Sequence, residues 1–315
     1  MILIITDSQD GLSNELALLL GEQVFFRFNI DFWYKYEFEI NQEFWSIKDP
    51  VGRIVTSKEN RNVLIRKPFQ TFSYDAIVPE QVAEKEINWC LHQIKQFVVE
   101  LCLLEKYNSN IKLISYDLPP YLGKATQMIV ASKFFKVPKW KMFWSSEDFE
   151  VTENQCVKSA SASAFGNGEY LFTKEIEKGS YLKQQYPWFV QQTIYASNDL
   201  TVLFIKDECF AFTLDRTQIA GLDWRREIFS KDLKWVFMVL DETFILAIKN
   251  YMEELDLQFG RLDFLIDNNN DYWFLEVNPN GEWGWLDEKY EYGIYEKFLL
   301  QFGIEKMNSY IRGQV

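Results

Sequence analysis

The stretch from Phe259 to Pro279, FGRLDFLIDNNNDYWFLEVNP, leaves a chain few ways to fold. Residues 262–266 and 272–277 are rich in branched and aromatic side chains, and the polar run 268–271 is of the kind that turns a chain back, so a β-hairpin is predicted. With Asp267 opposite Tyr272, Asp263 falls beside Glu276. Side chains alternate across a strand, so Asp263, Glu276 and Asn278 then project from one face. Nothing in that trio is positive, and adjacent carboxylates repel unless a cation sits between them. Two carboxylates and an amide suit Mg²⁺, which takes few protein oxygens and completes its octahedron with water and phosphate. The same spacing also fits a solvated acidic hairpin.

Composition narrows the class. At 315 residues and 48% hydrophobic content the chain can bury a large core and divide into two or three lobes. Its 33 Lys and Arg against 46 Asp and Glu give a formal charge of -13, which argues against a general nucleic-acid binder. Cys90, Cys102, Cys156 and Cys209 are far apart and show no CxxC spacing, so they fit reduced core residues better than a zinc site. The first residues lack a basic region and a cleavage site, and no apolar run approaches the ~18 residues of a membrane span. The expected compartment is the cytoplasm.

Along the chain, residues 1–5 read as a buried strand, 12–20 as a helix closed at Gly21, and 24–29 as a second strand, a Rossmann-like beginning. The turn after the first strand is Asp7-Ser8-Gln9-Asp10-Gly11, with no GxGxxG, which argues against NAD. Residues 37–40 and 62–66 are expected strands, and 82–104 is a helix carrying His92, the only histidine, read as structural. Asp117-Leu118-Pro119-Pro120 breaks the chain before a helix over 124–135. A strand over 155–158 ends at Lys158 and runs into the small-residue loop 159–168. Such a lysine and loop can surround phosphate oxygens, or form an ordinary linker with a surface charge. Residues 188–194 are extended, and 201–205 with 209–214 form a hairpin about Lys206-Asp207-Glu208. Asp223-Trp224-Arg225-Arg226 follows.

This ordered series, closing on LDF and LEVNPNGEWGW, resembles the ATP-grasp ligases, and the resemblance covers nearly the whole chain. Ile65-Arg66-Lys67-Pro68, the DWR triplet and the run from Leu275 to Trp285 are similar to the peptide-modifying ligases of the microviridin or graspetide type, including the grasp-with-spasm maturases. The resemblance implies an α/β (α+β) ATP-grasp fold, with a Rossmann-like N-terminal domain over 1–116, a central lobe over 117–190 and a C-terminal lobe over 191–315. It implies ATP and Mg²⁺ as cofactors, with Lys124 and Lys158 on the phosphates, Gln191, Gln192, Thr193 and Ile194 as the hinge that reads adenine, and Asp263, Glu276 and Asn278 holding the metal. Arg225 is implied as the group that grips the acidic substrate or the transferring phosphoryl group, since a guanidinium offers two parallel hydrogen bonds. Trp283 and Trp285 are read as packing residues.

The activity implied is activation of Asp or Glu side chains of a ribosomal precursor peptide as acyl phosphates, followed by ester or amide ring closure with Ser, Thr or Lys. A RimK-like amino-acid ligase and a non-catalytic ATP- or peptide-binding protein are the alternatives. Partners expected are the precursor with its leader segment and, where copies associate, a homodimer; no membrane and no nucleic acid are expected. One position departs from the pattern. Where related ligases carry a DIR-like arginine, this chain reads Asp199-Leu200-Thr201-Val202, and a nearby lysine position reads Ala196. Losing one charge-assisted hydrogen bond, about 1.5 to 3 kcal/mol, weakens binding by about ten- to a hundredfold. Arg216 is the candidate replacement in the catalytic set. In the hairpin expected here it alternates onto the face opposite Thr201, so compensation requires a bulge.

Overall fold

The computed structural model describes residues 1–21, 24–59, 62–67, 82–107, 122–144, 147–151, 153–159, 173–182, 187–227 and 232–304. Its contacts divide the chain into two compact units, Met1–Tyr121 with Pro279–Val315, and Leu122–Asn278. The breaker Asp117–Pro120 and the small-residue loop beyond Ser159 lie outside the described residues.

The first unit begins with three parallel strands, β1 (Ile2–Thr6), β2 (Phe25–Asn29) and β6 (Asn62–Ile65), in the order β2-β1-β6. Every residue of β1 is buried, as expected of a central parallel strand covered on both faces. Helix α1 (Gly11–Leu20) starts where the Asp10 carboxylate accepts from Ser13 N at 2.9 Å, and ends at Gly21, whose φ of 79° favours glycine. Helix α2 (Ile87–Tyr107) presents Ile94, Val98 and Leu101 at helical spacing to Leu3, Ile5, Phe26 and Val63. His92 on this helix is exposed. Strands β3 (Glu37–Ile40), β4 (Trp45–Lys48) and β5 (Ile54–Thr56) form a separate antiparallel sheet. Its Trp45 reaches α2, donating from Nε1 to Glu105 Oε1 at 2.9 Å.

Residues 279–304 pack with this unit. Trp283, fully buried, packs with tilted rings against Tyr295 and Phe298 of helix α5 (Ile294–Leu300), as its reading as a packing residue requires. Arg66 and Lys67 meet the segment that follows: Arg66 lies beside Asp10 and Glu282, and Lys67 pairs with Glu282. At the far end Asn62 Nδ2 donates to Phe302 O at 2.7 Å.

The second unit opens with helix α3 (Lys124–Ala131), shorter than the 124–135 expected because the chain turns at residues 132–134 toward Val137-Pro138. Strands β7 (Trp140–Phe143), β9 (Gln155–Lys158), β10 (Lys174–Ile176) and β12 (Trp188–Gln192) make an antiparallel sheet in the order β10-β9-β12-β7, and β8 (Phe149–Glu150) pairs with β11 (Tyr181–Leu182). A second antiparallel sheet, β15-β14-β13-β16-β17, is built from β13 (Ala196–Ile205), β14 (Glu208–Asp215), β15 (Val236–Met238), β16 (Phe259–Asp267) and β17 (Tyr272–Asn278). One face of this sheet carries Leu200, Val202, Phe204, Leu262, Phe264, Phe274 and Val277 against α3 and helix α4 (Glu242–Glu254), which supplies Phe244, Ile248, Tyr251 and Met252. Each such side chain contributes about 1.5–3 kcal/mol by leaving water. The packing is close enough that a Cβ on Gly260 would sit 2.9 Å from Val277 Cγ2 and 3.1 Å from Met252 Cε.

Candidate functional site

The site is the other face of the five-stranded sheet. Near its turn the β16–β17 hairpin pairs Ile266 with Tyr272, where Asp267 was expected, and Phe264 with Phe274. The register then shifts by one residue, and Asp263 faces Glu276 as the sequence predicts. Leu275 is the extra residue. This bulge reverses the alternation in β17, so Phe274 and Val277, three apart, both enter the core while Glu276 and Asn278 come out beside Asp263 and Arg261. Without it Glu276 would share the face of Phe274.

The edge strand is held by α3 and by the segment that follows it. Gln127 Oε1 accepts from Val277 N at 2.9 Å, and Phe274 N donates to Lys136 O at 2.9 Å. Lys124, one helical turn before Gln127, thereby lies on Glu276 and forms an ion pair with its Oε2. On the other side Arg261 Nη2 lies 3.2 Å from Asp263 Oδ2, and Thr201 Oγ1 donates to Asp263 Oδ1 at 2.9 Å. The acidic pair, in a trio that itself carries no positive charge, is therefore flanked by Lys124 and Arg261.

Burial alone would raise the Glu276 carboxyl, but Lys124, Lys158 and Arg225 overcome it and hold the group at about 2. A carboxyl depressed from its usual 4.5 stabilises the fold above pH 4.5 and loses that contribution as pH falls through 2. Glu276→Gln is therefore expected to be less stable than the parent at pH 6, by about 2–3 kcal/mol. The gap should close as pH falls from 4.5 toward 2. Denaturant titrations across that range check this, and a gap independent of pH would contradict it.

Arg216 reaches the same face. The β13–β14 turn contains only Lys206 and Asp207, with Ile205 opposite Glu208, one residue shorter than expected. Thr201 consequently pairs with Phe212, and the parity that continues to Arg216 is that of Thr201, with no bulge needed. Arg216 Nη1 lies 3.0 and 2.8 Å from the two Asp199 oxygens, and its Nη2 donates to Gly221 O at 2.9 Å. Burial pushes the Asp199 carboxyl up to about 7, against the pull of Arg216 and helped by Asp263.

The DWR triplet forms a short 3₁₀ turn capped by its own aspartate. Asp223 accepts Arg225 Nε at 2.8 Å and Nη2 at 2.7 Å, and also Thr173 N at 3.1 Å. The bidentate bond holds the Arg225 proton more tightly than usual, leaving a half-exposed guanidinium in a set orientation. Arg226 is exposed.

Lys158 ends β9 as expected. It pairs with Phe189 of β12, and Cys156 pairs with Gln191, so Lys158 and Gln191 lie on one face of the four-stranded sheet. Burial lowers the Lys158 pKa, against the pull of Glu276 and reinforced by Lys124 and Arg225. Lys158, Arg225 and Arg261 line one cavity with Asp199, Asp223, Asp263 and Glu276. Such a mixed-charge lining suits a polyphosphate with a divalent cation better than an apolar ligand. Gln191, Gln192, Thr193 and Ile194 do not line this cavity; Gln191 Nε2 and Thr193 Oγ1 are buried with no hydrogen-bond partner among the described residues. Asn278 is on the Asp263 face, opposite Arg261. Among the described residues no three His, Cys, Asp or Glu side chains cluster as a metal cage, so the hairpin offers two carboxylates and an amide. The four cysteines are free thiols.

Sequence reasoning left Asp199, Asp223 and Arg261 out of the site. Asp223 was within reach, because an aspartate two residues before an arginine at a turn start is a natural cap.

No protein-family model and no curated protein matches the sequence. Solved structures do. The macrocyclase MdnC from Microcystis aeruginosa MRC, bound with precursor peptide MdnA, superposes with a TM-score of 0.74 over 96% of this chain and 99% of that one, at 18% identity. A Chryseobacterium gregarium RiPP-associated ATP-grasp ligase, in complex with ADP and a leader and core peptide, gives 0.75 over 100% and 97%, also at 18% identity. The chain has the ATP-grasp fold. The ATP-grasp ligase PsnB, complexed with a minimal precursor, Mg and ADP, matches at 0.64 over 91% of each chain, with 13% identity. At these identities the ATP-grasp likeness establishes the architecture. No helix among the described residues is long and apolar enough to cross a membrane.

Proposed function

We propose that the chain is an ADP-forming, ATP-dependent peptide ligase of the graspetide type, working in the cytoplasm. It activates Asp or Glu side chains of a ribosomal precursor peptide and closes ester or amide rings with Ser, Thr or Lys. The observation that carries this reading is the single cavity in which Lys158 and Arg225 share a lining with the Asp263–Glu276 pair. Of the lobes expected at 117–190 and 191–315, residues 122–190 and 191–278 are assigned to the parts of the second unit built on its four- and five-stranded sheets, while 279–315 group with the first unit.

The residues fit ATP and Mg²⁺. Asp263, Glu276 and Asn278 share one strand face, and Glu276 stays ionised at any physiological pH, as a hard cation requires. The orphaned donor of Gln191 and hydroxyl of Thr193 suit the polar edge of an adenine. Mg²⁺, when bound there, offsets phosphate charge. Lys124 and Lys158 are assigned to the phosphates, and Arg225, oriented by Asp223, to the substrate carboxylate. Arg216, anchored on Asp199, closes the same face and is kept in the catalytic set. Enclosing the acyl phosphate protects it from water, and no covalent enzyme nucleophile is needed. The leader is assigned to protein surface away from this cavity, with a homodimer as the assembly expected if copies associate.

Peptide-dependent ADP release tests the reading. With ATP, Mg²⁺ and the cognate precursor, ADP should accumulate in proportion to the bonds formed, and free glutamate should not replace the peptide. Release driven by free glutamate, with glutamate attached to an acceptor, would favour the RimK-like alternative.

A further inference from the structure

The two edges of the five-stranded sheet differ. At β17 the backbone is covered, with Val277 N donating to Gln127 Oε1 and Phe274 N to Lys136 O. At β15 one side pairs with β14, Phe237 facing Phe212, and no strand among the described residues pairs with the other. An open edge is a template for a further strand, and natural sheets usually blunt it with charges, proline or a bulge. The three residues of β15, Val236-Phe237-Met238, carry no charge and no proline, and their pairing with β14 is regular. Val236 is 61% exposed and Val239, just past the strand, 83%; Leu246, on the helix α4 that follows, is 57% exposed. The charges on either side are ordered. The run before the strand, Lys231-Asp232-Leu233-Lys234, is net basic, and the chain after it continues into Asp241-Glu242. Lys234 and Glu242 are exposed, and Asp241 caps α4 by accepting from Phe244 N at 2.8 Å. A strand with a basic start and an acidic end is complementary to itself when turned antiparallel.

We infer that the outer edge of β15 is a docking surface for a second copy of this chain, whose own β15 adds antiparallel and joins the two five-stranded sheets about a two-fold axis. This rests on the homodimer reading above and not on the ligase chemistry. A two-fold contact uses the same patch on both copies, so the patch has to be complementary to itself. With the axis at Phe237, Lys234 of each copy stands opposite Leu240 of the other, one residue from its Asp241 and two from its Glu242. Main-chain hydrogen bonds then close the open edge, and Val236 and Val239 leave water. The formal charge of -13 opposes contact between copies at random, so the local pairing of opposite charges selects this register.

Sedimentation velocity of the full chain, from about 1 to about 100 µM, tests this. A three-residue strand with its flanks falls at the small end of interfaces, below ~1,200 Å², so half-association is expected at about 10 µM. Val239→Asp, at a position exposed enough to leave the fold intact, should raise that concentration about tenfold or more. Lys234→Glu and Glu242→Lys should each weaken association in the same direction, because each sets like charges against one another across the axis. Combining Lys234→Glu with Glu242→Lys restores the opposite charges and should return association to near the parent's value, a recovery that contact through any other face does not predict. A parent still monomeric at about 100 µM, or a dimer indifferent to Val239→Asp and to both charge reversals, would overturn the inference. Either result would leave peptide-dependent ADP release, which tests the ligase reading, unaffected.

Discussion

Glu276→Ala is expected to weaken Mg²⁺–ATP binding by about a hundredfold and to abolish the difference between ATP affinity with and without Mg²⁺. The carboxylate is the common partner of Lys124 and Lys158, which hold it at about 2 in spite of burial. Removing it leaves two buried-side ammonium groups facing each other and takes away a metal oxygen. The two losses can be separated. Unpaired lysines still attract phosphate, so ATP without metal should bind the variant about as well as the parent. Calorimetry with and without Mg²⁺ reads both quantities, and a variant that retained the parent's Mg²⁺ dependence would remove Glu276 from the metal site.

Arg225→Lys is expected to lower turnover about ten- to a hundredfold while ATP affinity moves less than about threefold. Lysine keeps the charge but cannot form the two bonds of 2.8 and 2.7 Å by which Asp223 fixes the guanidinium plane. A point charge on a flexible stem then replaces an oriented fork. Asp223→Asn should move turnover in the same direction with Arg225 intact, because the amide offers only one oxygen to the fork. Single-turnover kinetics with the precursor measure the effect, and unchanged turnover in Arg225→Lys would exclude Arg225 from the reacting centre.

The hairpin that carries Asp263 and Glu276 was legible because hydrophobic alternation and a polar turn are local signals. The strand at 37–40, the terminal position of Lys158 and the buried role of Trp283 were legible for the same reason, whereas β13 and β16 run over 196–205 and 259–267, longer than the 201–205 and 262–266 expected. What decides the rest is non-local. The bulge at Leu275 leaves no mark in the residue pattern, yet it alone lets Phe274 and Val277 share a core with Glu276 on the opposite face. Lys206-Asp207-Glu208 reads equally as a two- or a three-residue turn, and that one residue decides on which face Arg216 emerges. Arg261 was given no role in the sequence, and it reaches the cavity because β16 runs between β13 and β17, where it faces Leu203 and Asn278.

The intact mass of the precursor peptide, before and after incubation with this protein, ATP and Mg²⁺, tests the central claim most directly. Each ring closure removes one water, so a ligase of the proposed kind should produce steps of about 18 Da, one for each ADP released. The steps should vanish when Glu276 is replaced by Ala. ADP accumulation with no loss of mass from the peptide, or a gain corresponding to an added amino acid, would contradict the account.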